Sequence, residues 1–335
     1  MLQIGNIKLQ NGLVMAPMAG ITNLPFRLMV KKRGAGLVFS EMISSVGLYR
    51  KHRKTLAYLK TTPAEQPFSI QLFGSNPDTM AQAAQIVIAA GANMVDLNMG
   101  CPVKKVIKNG SGAALMRTPK LAAEIITAVR RVCPAPLTVK IRAGWSAHEA
   151  NASEFAQIMQ DCGADALTLH ARFASQGYSG KADWDLIAKL KSELKIPLIG
   201  NGDITQPAMA LALKKRSNCD GIMIGRGAIG NPWIFEQILA LEQGLSPAPI
   251  SLSQRKAFIL EHFHLLCGFM GEYGASLNMR GLLLSYTKGL PRSTQFRERI
   301  SRIKSLDSLM KIMEDYFSEI EQHEERPDSI SDDPL

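Results

Sequence analysis

The chain has 335 residues, 46% of them hydrophobic and 20% charged, a composition that excludes fibrous and disordered proteins. Its five cysteines are scattered and form no C-x-x-C pair, so we predict neither a disulfide framework nor a metal site. The longest apolar runs, such as residues 86–90 and 209–213, fall far short of the ~20 residues that span a bilayer. The N-terminus lacks the pattern of a signal peptide, so we expect a soluble, cytoplasmic protein with no membrane association.

The formal net charge of +10 is unevenly distributed along the chain. Residues 319–335 contain seven acidic residues against one arginine, a net of −6, which leaves +16 on the first 318 residues. A positive excess of this size favours a polyanionic partner, most simply nucleic acid, although surplus lysine can also serve solubility alone. We predict that the acidic tail, residues 323–335, is disordered.

Eight short apolar runs alternate with longer stretches of helical periodicity in the first part of the chain. We predict strands at residues 13–18, 37–42, 68–73, 93–99, 137–142, 166–171, 197–203 and 220–226. The helical stretches include residues 77–92 and 119–133, each of which starts at a proline. Eight such units predict an α/β fold, a (β/α)8 TIM barrel over residues 1–244, with a doubly wound open sheet as the alternative.

The chain changes character after Gly244. The segment LSPAPIS, residues 245–251, is typical of a linker, and only helical periodicity follows it, without a convincing strand. We therefore predict a C-terminal all-α helical bundle as a separate domain over residues 245–322.

Unusual residues occupy the carboxyl ends of the predicted strands, where the catalytic groups of a TIM barrel lie. They are Pro17, Met18 and Ala19 at the end of the first strand, Gln71 on the third, Asn98 and Cys101 at the end of the fourth, Lys140 and Arg142 on the fifth, His170 and Arg172 at the end of the sixth, Asn201, Gly202 and Asp203 at the end of the seventh, and Gly225 and Arg226 at the end of the eighth. Any one of them alone is more often an ordinary, hydrogen-bonded polar group. Their coincidence at one rim indicates a functional site, and Lys140 is the most informative because a buried ammonium is costly without a partner.

Residues 225–230 fit the pattern G-x-G-x-x-G, which is typical of NAD-binding Rossmann folds when it follows a first strand. Here it closes the last β/α unit of the chain. We interpret it instead as part of a phosphate site that the loops after strands seven and eight would build. A phosphate-bearing cofactor is therefore predicted.

Eight segments of the chain occur in the order and spacing of a known family. They are APMAGITNLPFR, SEMISS, QLFGSNP, VDLNMGCPVKKV, GSGAALMRTP, VKIRAGW, NGDI and GRGAIGNPWIF. By these segments the chain resembles the tRNA-dihydrouridine synthases over residues 1–322, nearest to the bacterial B-type branch. The resemblance implies reduction of the C5=C6 bond of specific uridines in tRNA to 5,6-dihydrouridine, with FMN as cofactor and NADPH or NADH as reductant. It also implies a helical domain that binds tRNA, and we expect a monomer without a protein partner.

The resemblance implies roles for individual residues. FMN binding is expected of Pro17, Met18, Ala19, Gln71, Lys140, His170, Asn201, Gly202, Asp203, Gly225 and Arg226. Substrate contacts are expected of Asn98, Arg142, Arg172, Lys104, Lys105 and Arg280. Cys101 is expected to be the catalytic proton donor.

The reaction needs a hydride at one ring carbon and a proton at its neighbour, and no side chain donates hydride. We expect reduced FMN to give hydride to C6 and the Cys101 thiol to protonate C5. A thiol with an ordinary pKa near ~8.5 is protonated at neutral pH and suits a general acid. Lys104 and Lys105 would favour thiolate if they pointed at the sulfur, so we expect them to point toward RNA phosphates. The segments YRKHRK (residues 49–54) and FRERISRIK (residues 296–304) are further candidates for phosphate contact.

Two other functions stay open from the sequence. A small-molecule flavin oxidoreductase of the dihydroorotate dehydrogenase type could use the same barrel on a free pyrimidine, but it has no need of a +16 charge. A non-catalytic RNA-binding module that retains an inactive barrel is disfavoured by the complete set of Gln71, Cys101, Lys140 and His170.

Overall fold

A computed structural model describes residues 1–301, 303 and 306–324 of the chain. The chain divides into two compact units, one of Met1–Ala228 with Pro232–Ser246, the other of Ile229–Asn231 with the chain from Pro247 onward. The assignment of catalysis to residues 1–244 and of tRNA binding to residues 245–322 stays a prediction. Residues 325–335 of the acidic tail lie outside the described residues, as do Arg302 and Lys304 of the second basic segment.

The first unit contains a barrel of eight parallel strands, preceded by an antiparallel hairpin. The strands are β1 (Gln3–Ile4) and β2 (Ile7–Lys8) in the hairpin, then β3 (Leu13–Met15), β4 (Val38–Ser44), β5 (Phe68–Phe73), β6 (Met94–Asn98), β7 (Leu137–Arg142), β8 (Ala166–His170), β9 (Leu198–Asn201) and β10 (Gly221–Ile224). Neighbouring barrel strands pair in the order β3-β10-β9-β8-β7-β6-β5-β4. The Met15 nitrogen donates to the Leu37 carbonyl oxygen at 2.9 Å, which joins β3 to the start of β4. The barrel is thus closed, so the predicted TIM barrel is confirmed and the open-sheet alternative is wrong.

Helices connect and surround the barrel strands. They are α1 (Leu24–Lys32), α2 (Ser45–Tyr49), α3 (Arg53–Leu56), α4 (Pro77–Ala89), α5 (Lys104–Ile107), α6 (Pro119–Val132), α7 (Ala152–Asp161), α8 (Trp184–Glu193), α9 (Pro207–Ser217), α10 (Gly227–Gly230) and α11 (Ile234–Glu242). Local chemistry sets their starts: the Asn76 side chain accepts from the Thr79 nitrogen at 2.9 Å ahead of α4, and Pro77 occupies its first turn. The predicted helices at 77–92 and 119–133 therefore start where the sequence indicated.

The two faces of the barrel strands differ in chemistry. Outward side chains such as Val95, Val139 and Leu167 are fully buried against the helices in one large apolar cluster. We expected continuous apolar strands, but the inner face carries buried polar groups, including Asp96 and Thr138. Since side chains alternate across a strand, polar residues within an apolar run all reach the barrel interior. The inner face therefore supplies the functional groups, and the outer face holds the fold together.

The hairpin closes the amino-terminal end of the barrel. Leu2, Ile4 and Leu9 are buried in the apolar cluster of the barrel interior, together with Met94, the first residue of β6. The approach is so close that a Cβ at Gly221, the first residue of β10, would lie 2.8 Å from the Leu2 side chain. The sequence analysis did not predict this hairpin, because strands of two residues are too short to show periodicity.

All regular secondary structure in the described residues of the second unit is helical, as predicted. It consists of α12 (Leu252–Tyr286), α13 (Ser293–Ser301) and α14 (Leu306–Glu324). Gly271 interrupts α12 with a φ of +76°, a conformation that glycine adopts without strain. No helix in the described part of either unit is both long enough and apolar enough to cross a membrane.

Candidate active site

A cavity of about 520 Å³ opens at the carboxyl ends of the barrel strands. The predicted site residues in its wall are Pro17, Met18, Lys140, His170, Arg172, Asn201, Gly202, Asp203, Gly225 and Arg226. Strand register brings them together, because His170 pairs with Arg142 on one side and with Asn201 on the other. The structure therefore gathers most of the predicted cofactor-binding residues around one space.

Lys140 is the buried cation of this cavity. Its Nζ donates to Asn201 Oδ1 at 3.1 Å, and Asn201 Nδ2 donates to the Met223 carbonyl oxygen at 2.8 Å. In the described part of the chain, no carboxylate lies within ion-pair distance of this ammonium. Burial, and then the positive charge of Arg142, lowers the pKa of Lys140 to about 8, although the negative charge of Asp96 opposes this shift. The site therefore holds an ammonium that an anionic ligand would stabilise.

Arg142 and Arg172, which we predicted to contact substrate, both bind the loop of residues 173–180 after β8. Arg142 donates to two carbonyl oxygens of the loop at 2.9 and 2.8 Å, and Arg172 donates to two others at 3.1 and 2.7 Å. Arg172 also forms a 2.6 Å ion pair with Asp203, in which the arginine side chain is only 2% exposed. These guanidinium groups thus hold the loop over the barrel mouth, and the Asp203 carboxylate is occupied by an internal partner.

Tyr178, in the same loop, was missed by the sequence analysis. Its ring is 59% exposed and lines the cavity, and the Arg226 guanidinium carbon lies 4.4 Å from the ring centroid. That distance is within the range of a cation–π contact. An aromatic residue in a loop that follows a strand end was the signal available in SQGYSG, residues 175–180.

His170 lines the cavity as a neutral imidazole. Burial, together with the nearby Lys140, Arg142, Arg172 and Arg226, lowers its pKa to about 2. Its Nε2 lies 3.3 Å from a terminal nitrogen of Arg172, which can only donate, so Nε2 accepts and the proton resides on Nδ1. His170 is therefore a fixed hydrogen-bond donor and not a proton shuttle.

Cys101 lies in the turn after β6 and is half-buried. Its nitrogen donates to Asn98 Oδ1 at 2.9 Å, and its carbonyl oxygen accepts from the Ala113 nitrogen at 3.0 Å. Gly112 supports this turn with a φ of +63°, and a Cβ there would lie 2.7 Å from the Cys101 carbonyl oxygen. Burial raises the pKa of the Cys101 thiol, although hydrogen bonding and the charges of Arg142 and Lys140 oppose it. The thiol is therefore protonated at neutral pH.

A buried chain of hydrogen bonds connects the Cys101 turn to the barrel interior. Asn98 Nδ2 donates to Gln71 Oε1 at 2.8 Å, and Gln71 Nε2 donates to Asp96 Oδ2 at 2.6 Å. Thr138 Oγ1 donates to the other Asp96 oxygen at 2.5 Å. Burial raises the pKa of Asp96 to about 7, against these hydrogen bonds, which lower it. The Asp96 carboxylate can only accept, so it fixes the orientation of the Gln71 amide and, through it, of the Asn98 amide. Asn98 in turn holds the Cys101 turn. The sequence analysis missed the role of Asp96.

We expect Asp96→Leu to loosen the Cys101 turn, because the Gln71 amide nitrogen loses its buried acceptor. The expected cost is about 1–3 kcal/mol in the free energy of unfolding. Alkylation of Cys101 by iodoacetamide, followed by mass spectrometry of its peptide, should become faster. Asp96→Asn is the matched control, since its side-chain oxygen can still accept from Gln71. Equal alkylation rates in the two variants would contradict this role for Asp96.

Cys101, Arg142 and the remaining predicted site residues lie outside the wall of the cavity. Gln71 and Asn98 belong to the buried chain of hydrogen bonds, Ala19 is exposed after β3, and Lys104 and Lys105 are exposed on α5. Arg280 lies in the second unit, where it donates to the Ile303 carbonyl oxygen at 2.7 Å.

The relatives of this chain agree with the motifs found in its sequence. The family model described as Dihydrouridine synthase (Dus) matches residues 14–321. tRNA-dihydrouridine synthase B from Xanthomonas axonopodis pv. citri is 39% identical over 317 residues, which cover 94% of this chain and 96% of that protein. The protein of the same name from Vibrio cholerae serotype O1 is 37% identical over 320 residues, which cover 95% and 99% of the two chains.

Solved structures share the fold of much of this chain at low sequence identity. The old yellow enzyme homologue from Zymomonas mobilis is 14% identical, with a TM-score of 0.51 over 76% of this chain and 94% of that one. This likeness concerns the fold alone. The family model and the relatives confirm the resemblance found from the motifs, and the chain belongs to the dihydrouridine synthase family.

Proposed function

We propose that this protein is a flavin-dependent tRNA-dihydrouridine synthase, which reduces the C5=C6 bond of specific uridines in tRNA. The observation that carries the proposal is a protonated thiol, Cys101, within electrostatic range of the buried ammonium of Lys140, which lines the cavity and forms no ion pair with the described residues. Family membership and the names of the relatives support the same activity.

The cavity suits FMN in size and charge. Its volume of about 520 Å³ falls within the ~300–1,000 Å³ of typical cofactor sites. Lys140 and Arg226 both line it, and neither has an ion-pair partner in the described part of the chain. We propose that Lys140 neutralises the negative charge of the reduced flavin ring and that Arg226, with the backbone of Gly202 and Gly225, holds the phosphate.

In this proposal a bound reduced flavin supplies hydride to C6, because no side chain can do so. Cys101 holds a proton on Sγ and delivers it to C5 of the target uracil. Asn98 orients the turn that aims the thiol, and His170 offers a fixed Nδ1–H donor. The loop of residues 173–180 covers the mouth and would exclude water from the base.

RNA recognition in this proposal depends on positive charge around the site. A target uridine must leave the folded tRNA to reach Cys101, which costs a few kcal/mol that binding must offset. We propose that Lys104, Lys105 and Arg280 contact tRNA phosphates, and that the 173–180 loop, held by Arg142 and Arg172, contacts the substrate. NADPH or NADH would reduce the flavin. We further propose that the protein is cytoplasmic and acts as a monomer. Light scattering of the purified protein would test the monomer.

Purified protein with unmodified tRNA tests the main proposal. We expect the protein to bind FMN, to reduce it at the expense of NADPH or NADH, and to form dihydrouridine in the tRNA, measured by mass spectrometry of nucleosides. Free uracil and orotate serve as competing substrates for the small-molecule alternative. Protein that reduces a free pyrimidine but not tRNA, or that binds no flavin, would contradict the proposal.

A further inference from the structure

A second cavity, of about 700 Å³, lies in the first unit beside the Cys101 turn. Its wall contains the cations Lys104, Lys108 and Arg117 together with the indole of Trp145. The Ala113 nitrogen donates to the Cys101 carbonyl oxygen, while the next residue lines this cavity. The Cys101 turn and the second cavity are therefore built on one short segment of chain.

The segment around this cavity is strongly basic. Residues 97–123 contain no Asp or Glu and five cations, namely Lys104, Lys105, Lys108, Arg117 and Lys120. In the described part of the chain, the ammonium groups of Lys104 and Lys108 have no ion-pair partner. Arg117 donates through Nε to Glu149 at 2.9 Å, and its two terminal nitrogens make no hydrogen bond to described residues. A surface of this kind attracts a polyanion.

The backbone of Trp145 is held in the wall by its neighbours. Its carbonyl oxygen accepts from the Ser175 nitrogen at 2.9 Å. The preceding Gly144 has a φ of +142°, and a Cβ there would lie 2.4 Å from the Glu149 carbonyl oxygen. The Arg117 guanidinium carbon lies 5.0 Å from the indole centroid. The indole Nε1–H has no acceptor among the described residues, so the ring lines the cavity with an available donor.

We propose that this cavity binds a nucleotide of the RNA substrate that neighbours the target uridine, with its base on Trp145 and its phosphates on Lys104, Lys108 and Arg117. An aromatic ring beside cations is how proteins bind single-stranded nucleic acid, and of the three cations only Arg117 has an ion-pair partner among the described residues, Glu149. The inference rests on the proposed function. A polymer fits better than the dinucleotide reductant, because Lys105 and Lys120 extend the exposed positive charge beyond the cavity wall.

Binding of unmodified tRNA to the full-length flavoprotein, measured by fluorescence anisotropy at fixed salt, tests this site. We expect Trp145→Leu to weaken binding about tenfold, the scale of a lost base–aromatic contact, and Trp145→Phe to retain most of the affinity. Lys108→Ala should weaken binding and reduce its salt dependence. Lys189→Ala is the matched control, since Lys189 is an exposed lysine of α8 outside this cavity.

Retained flavin absorbance and unchanged thermal unfolding would show that the variants fold. Wild-type affinity for tRNA in Trp145→Leu would overturn the inference, as would a raised Kd for NADPH with an unchanged Kd for tRNA, because the site would then hold the reductant. If the wild-type protein binds no tRNA at all, the proposed function fails as well. The outcomes thus separate the two proposals.

Discussion

Cys101→Ala is expected to lower the rate of dihydrouridine formation by about 100- to 10,000-fold, the usual effect of removing a general acid. In the proposed mechanism C5 of the uracil would then lack its positioned proton donor, whereas the residues proposed to bind flavin would be unchanged. NADPH-driven reduction of the flavin should therefore continue at the wild-type rate. Single-turnover assays with pre-reduced enzyme and unmodified tRNA measure the expected loss.

Cys101→Ser controls for size, because a hydroxyl occupies nearly the same space but is a far weaker acid. We expect it to resemble alanine in rate. Because burial raises the pKa of the wild-type thiol, its acid form persists at neutral pH and is lost only as the pH rises through that raised value. The single-turnover rate should accordingly fall in the alkaline range. A serine variant with wild-type rate would contradict the role of Cys101 as proton donor.

Lys140→Met is expected to weaken FMN binding about 100-fold, in line with the ~2–5 kcal/mol cost of removing one partner from a buried charge pair. Methionine keeps most of the length and the apolar stem of lysine, and it removes the charge together with the hydrogen bond to Asn201. The pKa of Lys140 is lowered to about 8, so the ammonium is charged below that pH and loses its proton above it. FMN affinity should therefore fall as the pH rises through about 8 in the wild type, and this pH-dependent step should be absent from the variant.

Isothermal titration calorimetry in buffers of different ionisation enthalpy measures both effects, since binding near pH 8 should take up a proton in the wild type. Lys191→Met is the control, because Lys191 pairs with Asp220 and lies outside the cavity wall. Equal FMN affinities and equal proton uptake in wild type and Lys140→Met would contradict the assigned role.

The strands and the positions of the cavity residues could be predicted from sequence because both follow from short-range patterns. An apolar run bounded by turn residues defines a strand, and the residue after it lies at the barrel mouth by topology alone. Lys140 stood out because an ammonium within LTVKI has few structural explanations.

What the sequence could not show is which polar groups use one another as partners. Arg172 and Asp203 are 31 residues apart, and nothing in either segment indicates that they pair. Asp96 lies in the same motif as Cys101, yet its connection to the turn passes through Gln71, on a different strand. Such contacts depend on side-chain geometry, which cannot be predicted from a single sequence.

The hairpin at the amino-terminal end of the barrel has a kinetic consequence. Leu2, Ile4 and Leu9 seal that end, so any molecule that reaches Lys140 must enter and leave by the opposite mouth. In the proposed function the reductant and the RNA would both enter through this opening, so they could not occupy the site at the same time. Turnover should then alternate between two half-reactions, and an excess of either reactant should slow the arrival of the other.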